Sequence, residues 1–216
     1  MTHRHRPDPT LLGVLLLALG LGACGGATPP PAAGESRGAV PDLTGTRVMV
    51  LPPQRVTLPG DAEAELTFAL EGRAPGVDWV MPDELRRAAE GSPGYDVLVE
   101  GLPVGVFERA EVRRVGDPLY GYLRRLAALV DARAALIPVS VRYRPADPAE
   151  SRDEPDPTTA PAPGRVEASA ALISVVNGRV LWFGVAGGEP GSRSDPAALA
   201  SALDALARAL GPPAGR

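Results

Sequence analysis

The side chains able to do covalent or acid-base chemistry are few in this chain, and their positions narrow the choice further. Its 216 residues include one cysteine, Cys24, two histidines, His3 and His5, and no lysine. Both histidines precede the cysteine, in a stretch with the three parts of an export signal: Arg4 and Arg6, an apolar run over residues 11–21, and small residues ending at Ala23. Cleavage after Ala23 leaves no general base of the usual kind near neutral pH, no other thiolate and no amine for Schiff bases. A Ser-His-Asp triad, a Cys-His pair, a histidine or thiolate zinc site and a Walker-type lysine are thereby excluded, and only carboxylate chemistry stays open. The chain reads as a non-enzyme, with no catalytic residue, no metal and no cofactor.

The carboxylates do not change that reading. Asp83 and Glu84 are adjacent, as a glycosidase pair is not, and neighbours on a helix do not face each other; in a first turn they complement the helix dipole. Asp147, Glu150, Asp153, Glu154 and Asp156 share residues 145–163 with six prolines. Calcium takes oxygen ligands, but this spacing lacks the glycine and the alternation of a calcium loop. The pairs Arg86-Arg87, Arg113-Arg114 and Arg124-Arg125 have the fork that grips phosphate or carboxylate, and they read here as solvated helix faces. Trp79 and Trp182, near strand ends, are the candidates for a partner or ligand contact, against the ordinary role of packing on a sheet.

The cysteine has a context of its own. Leu21-Gly22-Ala23-Cys24 resembles the lipobox of bacterial lipoproteins. That resemblance implies a diacylglycerol on the Cys24 thiol, removal of the leader after Ala23 and acylation of the freed amine. The alternatives are an ordinary secretory signal cut after Ala23, or a buried N-terminal helix. The apolar run is only eleven residues long, too short for a hydrocarbon core that needs roughly 20 helical residues. The only cysteine stands at the one position where lipidation uses it. Two or three acyl chains hold firmly, each buried methylene contributing about 0.8 kcal/mol. Gly25 occupies the place where inner-membrane lipoproteins of enterobacteria carry aspartate. The resemblance therefore points to the periplasmic side of the outer membrane, with inner-membrane anchoring as the alternative.

Four parts follow: a signal peptide at 1–23, a Pro- and Gly-rich flexible tether at 24–41, an α/β domain at 42–211 containing the acidic loop 145–163, and a tail at 212–216. The net charge of −4 falls to near −5 when Arg4, Arg6 and Asp8 leave with the leader. Nucleic-acid binding needs a clustered basic footprint, and this balance argues against it. A hydrophobic content of 44% is that of a globular chain, and no disulfide is available to an exported domain that must rely on its core.

The elements that would position these residues read as a single small α/β domain: a mixed sheet with a C-terminal antiparallel hairpin, and helices packed on it. Residues 47–51 form a near-continuous apolar run, as in a strand buried on both faces. Asp61 caps a helix that ends at Gly72; residues 77–81 make a second strand; Pro82 opens a helix that Gly91 closes. Residues 94–116 read as irregular or as one short edge strand. From Pro118 an apolar stripe of Leu119, Tyr122, Leu123, Leu126, Leu129 and Val130 predicts a helix to Asp131. Residues 134–143 then alternate, with Ile137, Val139, Val141 and Tyr143 on one face. Residues 166–185 make a hairpin, with Asn177-Gly178 as a two-residue type I′ turn. Asp195, Pro196 and Gly211 punctuate a last helix.

The first strand ending in Leu51-Pro52, the helix-to-strand passage 126–138, and the hairpin with Gly178 four residues before Trp182 resemble the TolB amino-terminal-domain superfamily. That group includes the curli-secretion lipoprotein and lipoprotein activators of penicillin-binding proteins. The resemblance implies an exported domain that works as an assembly or regulatory accessory by binding another envelope protein. The other reading is capture of a small molecule or cell-wall fragment near Trp182. The sequence leaves the oligomeric state open.

Overall fold

The computed structural model describes residues 28–92, 94, 97–146 and 163–211. Ala23 and Cys24, the acids of the 147–156 stretch and the tail 212–216 lie outside these described residues. A six-stranded mixed sheet carries helices on both faces. Its strands are β1 (Ser36–Gly38), β2 (Arg47–Val50), β3 (Asp78–Val80), β4 (Ala134–Arg144), β5 (Arg165–Ser174) and β6 (Val180–Pro190), in spatial order β1-β6-β5-β4-β2-β3. β2 runs parallel to β3 and β4, and the other pairings are antiparallel.

The helices are α1 (Ala62–Arg73), α2 (Pro82–Glu90), α3 (Val106–Arg109), α4 (Leu119–Val130) and α5 (Pro196–Leu210). Two apolar layers follow from strand alternation. Val48, Val50, Leu136 and Leu172 face α1 and α5, whose Leu66, Leu70, Leu199, Leu203 and Leu206 close that side. Met49, Leu51, Ile137 and Ile173 face the opposite way, onto Leu85, Phe107, Leu123 and Leu126. The strand at 47–50 is thus buried on both faces, as its apolar run predicts. Helix starts follow their punctuation as well: Asp61 accepts from Ala64 N at 3.0 Å and Asp195 from Ala197 N at 2.9 Å. Arg73 reaches across from α1 to α5 and grips Asp204 with bonds of 2.6 and 2.9 Å.

That clamp sets one pH prediction. Hydrogen bonds from Arg73 and then Arg208 outweigh burial and hold the Asp204 carboxyl below its ordinary value. A depressed carboxyl stabilises the fold above its unfolded pKa and loses that contribution as pH falls through the folded one. Asp204→Asn should therefore flatten the loss of stability below pH 4, by under about 1 kcal/mol for a pair this near the surface. Denaturant midpoints of both chains from neutral to acid pH check it; parallel curves would refute it.

Four sequence expectations are corrected. The tether does not extend to residue 41. Residues 36–38 form the outer strand β1, paired with residues 182–184, and Gly34 N donates to Val185 O at 2.7 Å. Hydrophobic patterning misses this strand because backbone bonds hold it. Gly38 has φ +76, and a Cβ there would lie 2.2 Å from the Leu181 carbonyl oxygen.

In β4 the alternation breaks. Ile137 and Val139 belong to one layer, whereas Val141 and Tyr143 pack with the other. The register shifts between Pro138 and Ser140, so Val139 is the extra residue of a bulge, the place where a strand tolerates a proline. The hairpin loop spans four residues, 175–178, since Ser174 N donates to Arg179 O and Gly178 N to Ser174 O. A type I′ turn needs positive φ at both central residues, and only Gly178 has it, at 72°; Val175 is buried, and its N–H goes instead to Arg133 O at 3.1 Å. Finally, residues 94–116, read as irregular or as one short edge strand, contain the short helix α3. Phe107 stacks there on Phe183 of β6, centroids 5.6 Å apart, and this packing overrides local propensity.

Candidate functional site

Among the described residues strand β1 has no strand beyond it, and open clefts lie on its two sides. The larger, 770 Å³, runs between residues 38–44 and the end of α5, with Trp182 and Val77 in its wall. The smaller, 420 Å³, lies over the opposite face of β6, with Phe107, Val112, Val180 and Phe183 as its apolar lining. Its charged lining is Glu111 and four arginines: Arg37 from β1, Arg113 and Arg114 from the segment after α3, and Arg179 just before β6.

Backbone pairing brings these arginines together. Val115 N donates to Gly178 O at 2.8 Å and Val180 N to Arg113 O at 3.0 Å, which sets Arg114 directly opposite Arg179 in an antiparallel bridge. Like charges facing each other across strands are destabilising. Among the described residues Glu111 is the only acid in the lining. Its carboxylate oxygens stand 3.5 Å from Arg37 and 3.5 Å from Arg113. Among the described residues neither Arg114 nor Arg179 has an acidic partner, and the Arg37 Nε is buried without a hydrogen bond.

Residues 28–35 border the same groove. Glu111 N donates to Thr28 O at 2.9 Å, Pro31 lines the groove, and Glu35 accepts from Ala32 N at 3.0 Å.

The remaining sequence candidates are placed apart. Trp182 is 4% exposed and Trp79 half-buried, with its indole N–H bonded to Ala74 O at 3.0 Å. They stand on β6 and β3, separated by three intervening strands, or roughly 19 Å of sheet at about 4.8 Å per strand. The structure therefore does not bring them into one site. Asp83 pairs with Arg86 at 2.9 Å and Glu84 with Arg47 at 3.2 Å, each in its own ion pair. Arg86 is also gripped by Glu63 and Glu100, chiefly Glu63, which hold its pKa above the ordinary arginine value. Arg124 and Arg125 lie against the rings of Tyr120 and Tyr122. Arg113 and Arg114 are not on a helix, so their reading as a solvated helix face is corrected.

No family model matches the chain, and no curated protein matches it. Among solved structures it is similar to a PelC dodecamer from Paraburkholderia phytofirmans in space group C2: 16% identity over 82% of this chain and 95% of that one, TM-score 0.43. A PelC dodecamer from the same organism in space group P6 shows 14% identity over 82% and 94%, with a TM-score of 0.39.

Among the described residues no three His, Cys, Asp or Glu side chains gather to hold a metal ion, and no helix is long and apolar enough to cross a membrane. Sequence reasoning missed Arg37 and Arg179 as site residues. Nothing in their local sequence marks them: they join Arg113 and Arg114 only because β1 and residues 113–115 both pair along β6.

Proposed function

We propose that this chain is an exported lipoprotein, anchored through acylated Cys24 on the periplasmic side of the outer membrane, whose domain is a non-catalytic accessory that binds another envelope protein. The observation that carries the binding role is the outer strand β1 with an open cleft on each side of it. An outer strand of this kind is a surface against which another chain can lie, by backbone pairing and by filling the flanking clefts. The lipobox-like residues before Cys24 and the resemblance to the TolB amino-terminal-domain superfamily support the envelope setting. With Trp182 only 4% exposed, the larger cleft has little aromatic face to offer a small ligand, and the protein-binding reading is favoured.

Two measurements test the reading. The native protein should yield an N-terminal peptide that begins at Cys24 and carries acyl groups; a different first residue, or an unmodified thiol on a chain that washes off membranes, would overturn the anchor. Crosslinking in the native host should capture one reproducible envelope protein, and bulky substitutions at the exposed Ser36 and Ala39 beside the larger cleft should abolish that capture. Capture that survives them would move the contact elsewhere.

A further inference from the structure

The groove on the other side of β1 has a relation to the anchor that the sequence does not reveal. Thr28 is fixed to the domain by the bond from Glu111 N. Four residues of extended chain span at most about 14 Å. A chain acylated at Cys24 therefore cannot hold its domain far from the bilayer: the point nearest the anchor is the rim of the arginine groove. The Debye length at physiological ionic strength is about 8 Å, so charges at this rim lie within one or two screening lengths of the headgroups.

The charges there are of the sign an anionic headgroup layer attracts, on a chain whose net charge is near −5 without residues 1–23. Four arginines stand against one carboxylate. Arg113 is 91% exposed, and Arg114 and Arg179 face each other across the bridge. An anion between them would relieve a like-charge contact and meet the fork geometry of guanidinium. Val176, at the hairpin tip three residues before Arg179, is 71% exposed. It adds an apolar point beside the basic cluster, the combination found where proteins meet a membrane surface.

We propose that the groove of Arg37, Arg113, Arg114 and Arg179 binds the phosphate groups of anionic lipid headgroups around the anchor, and so seats the domain directly on the bilayer. The proposal rests on acylation of Cys24, and its test separates the two.

The acylated protein is reconstituted in phosphatidylcholine vesicles with and without phosphatidylglycerol. Phenylglyoxal modification of each arginine is followed by peptide mass spectrometry, and the N-terminal peptide of the same sample reports acylation. With about 1 kcal/mol gained per arginine at an anionic surface, close to fivefold, phosphatidylglycerol should slow modification of Arg113, Arg114 and Arg179 about fivefold each. Arg142 and Arg144, on the opposite end of the sheet, should be unaffected. Equal rates in both vesicles would overturn the proposal, as would equal protection by inorganic phosphate added to phosphatidylcholine vesicles, which would make the groove a site for free phosphate. If the chain carries no acyl group the anchor fails, and flotation decides the groove on its own. Binding to phosphatidylglycerol vesicles that the triple variant Arg113→Gln, Arg114→Gln, Arg179→Gln abolishes would uphold it; no binding would overturn it.

Discussion

Trp182→Ala should cost about 3–5 kcal/mol of stability, the range for removing a buried tryptophan, and Gly184→Ala should cost about 1–3 kcal/mol by crowding the same ring. The two residues share a face of β6, two positions apart. A Cβ on Gly184 would lie 2.2 Å from Trp182 Cζ2 and 2.7 Å from Cη2, so the ring occupies the space a side chain at 184 would need. Trp182 stands between Gly38 on β1 and Leu172 on β5, and it closes the apolar layer near the outer edge of the sheet.

The decisive measurement is the double-mutant cycle from denaturant midpoints. If the penalty at Gly184 acts through the indole, Gly184→Ala in a Trp182→Ala background should be neutral or slightly stabilising, because glycine weakens a strand interior. An unchanged penalty in that background would show that the backbone, not the ring, dictates glycine there.

How much of this was legible beforehand depends on which force holds each piece. Elements held by apolar side chains or by caps are visible in the sequence: residues 47–50 with Val48 and Val50 on one face and Met49 and Leu51 on the other, α5 with Asp195 and Pro196 at its start, α2 closing at Gly91. Elements held chiefly by backbone bonds are not. β1 has Ser36, Arg37 and Gly38, none of which signals a strand, and its ladder exists only because β6 offers an edge. The bulge at Val139 is a third kind: the strand is visible, but the extra residue that turns Val141 and Tyr143 to the other layer follows from pairing with β5, which periodicity within β4 cannot report. The arginine groove is harder still, since it assembles residues from β1, the segment after α3 and the residue just before β6.

The pairing of β4 with β5 also places a carboxylate where it has to be matched. Glu167 is 2% exposed and sits opposite Arg142 in the register. One carboxylate oxygen lies 3.2 Å from Arg142 Nη2, and the other lies 3.6 Å from Arg144 Nη1. Beside it the Ser140 and Ser169 hydroxyls bond each other at 2.9 Å, so this end of the sheet face is polar where Ala171 and Ile173 further along it are apolar.

Replacing both Arg142 and Arg144 by alanine should cost about 3 kcal/mol or more at neutral pH, because it strands a buried charge without its partners. The expected loss far exceeds that from an exposed pair such as Arg208 and Asp204, worth about 1 kcal/mol or less. A neutral amide needs no counter-charge, so adding Glu167→Gln to the double variant should recover most of the loss. A denaturant midpoint that falls with the arginines and rises again with glutamine, at constant m-value, identifies charge burial as the cause. No recovery on adding glutamine would mean instead that the two arginines act by covering the strand with their aliphatic stems.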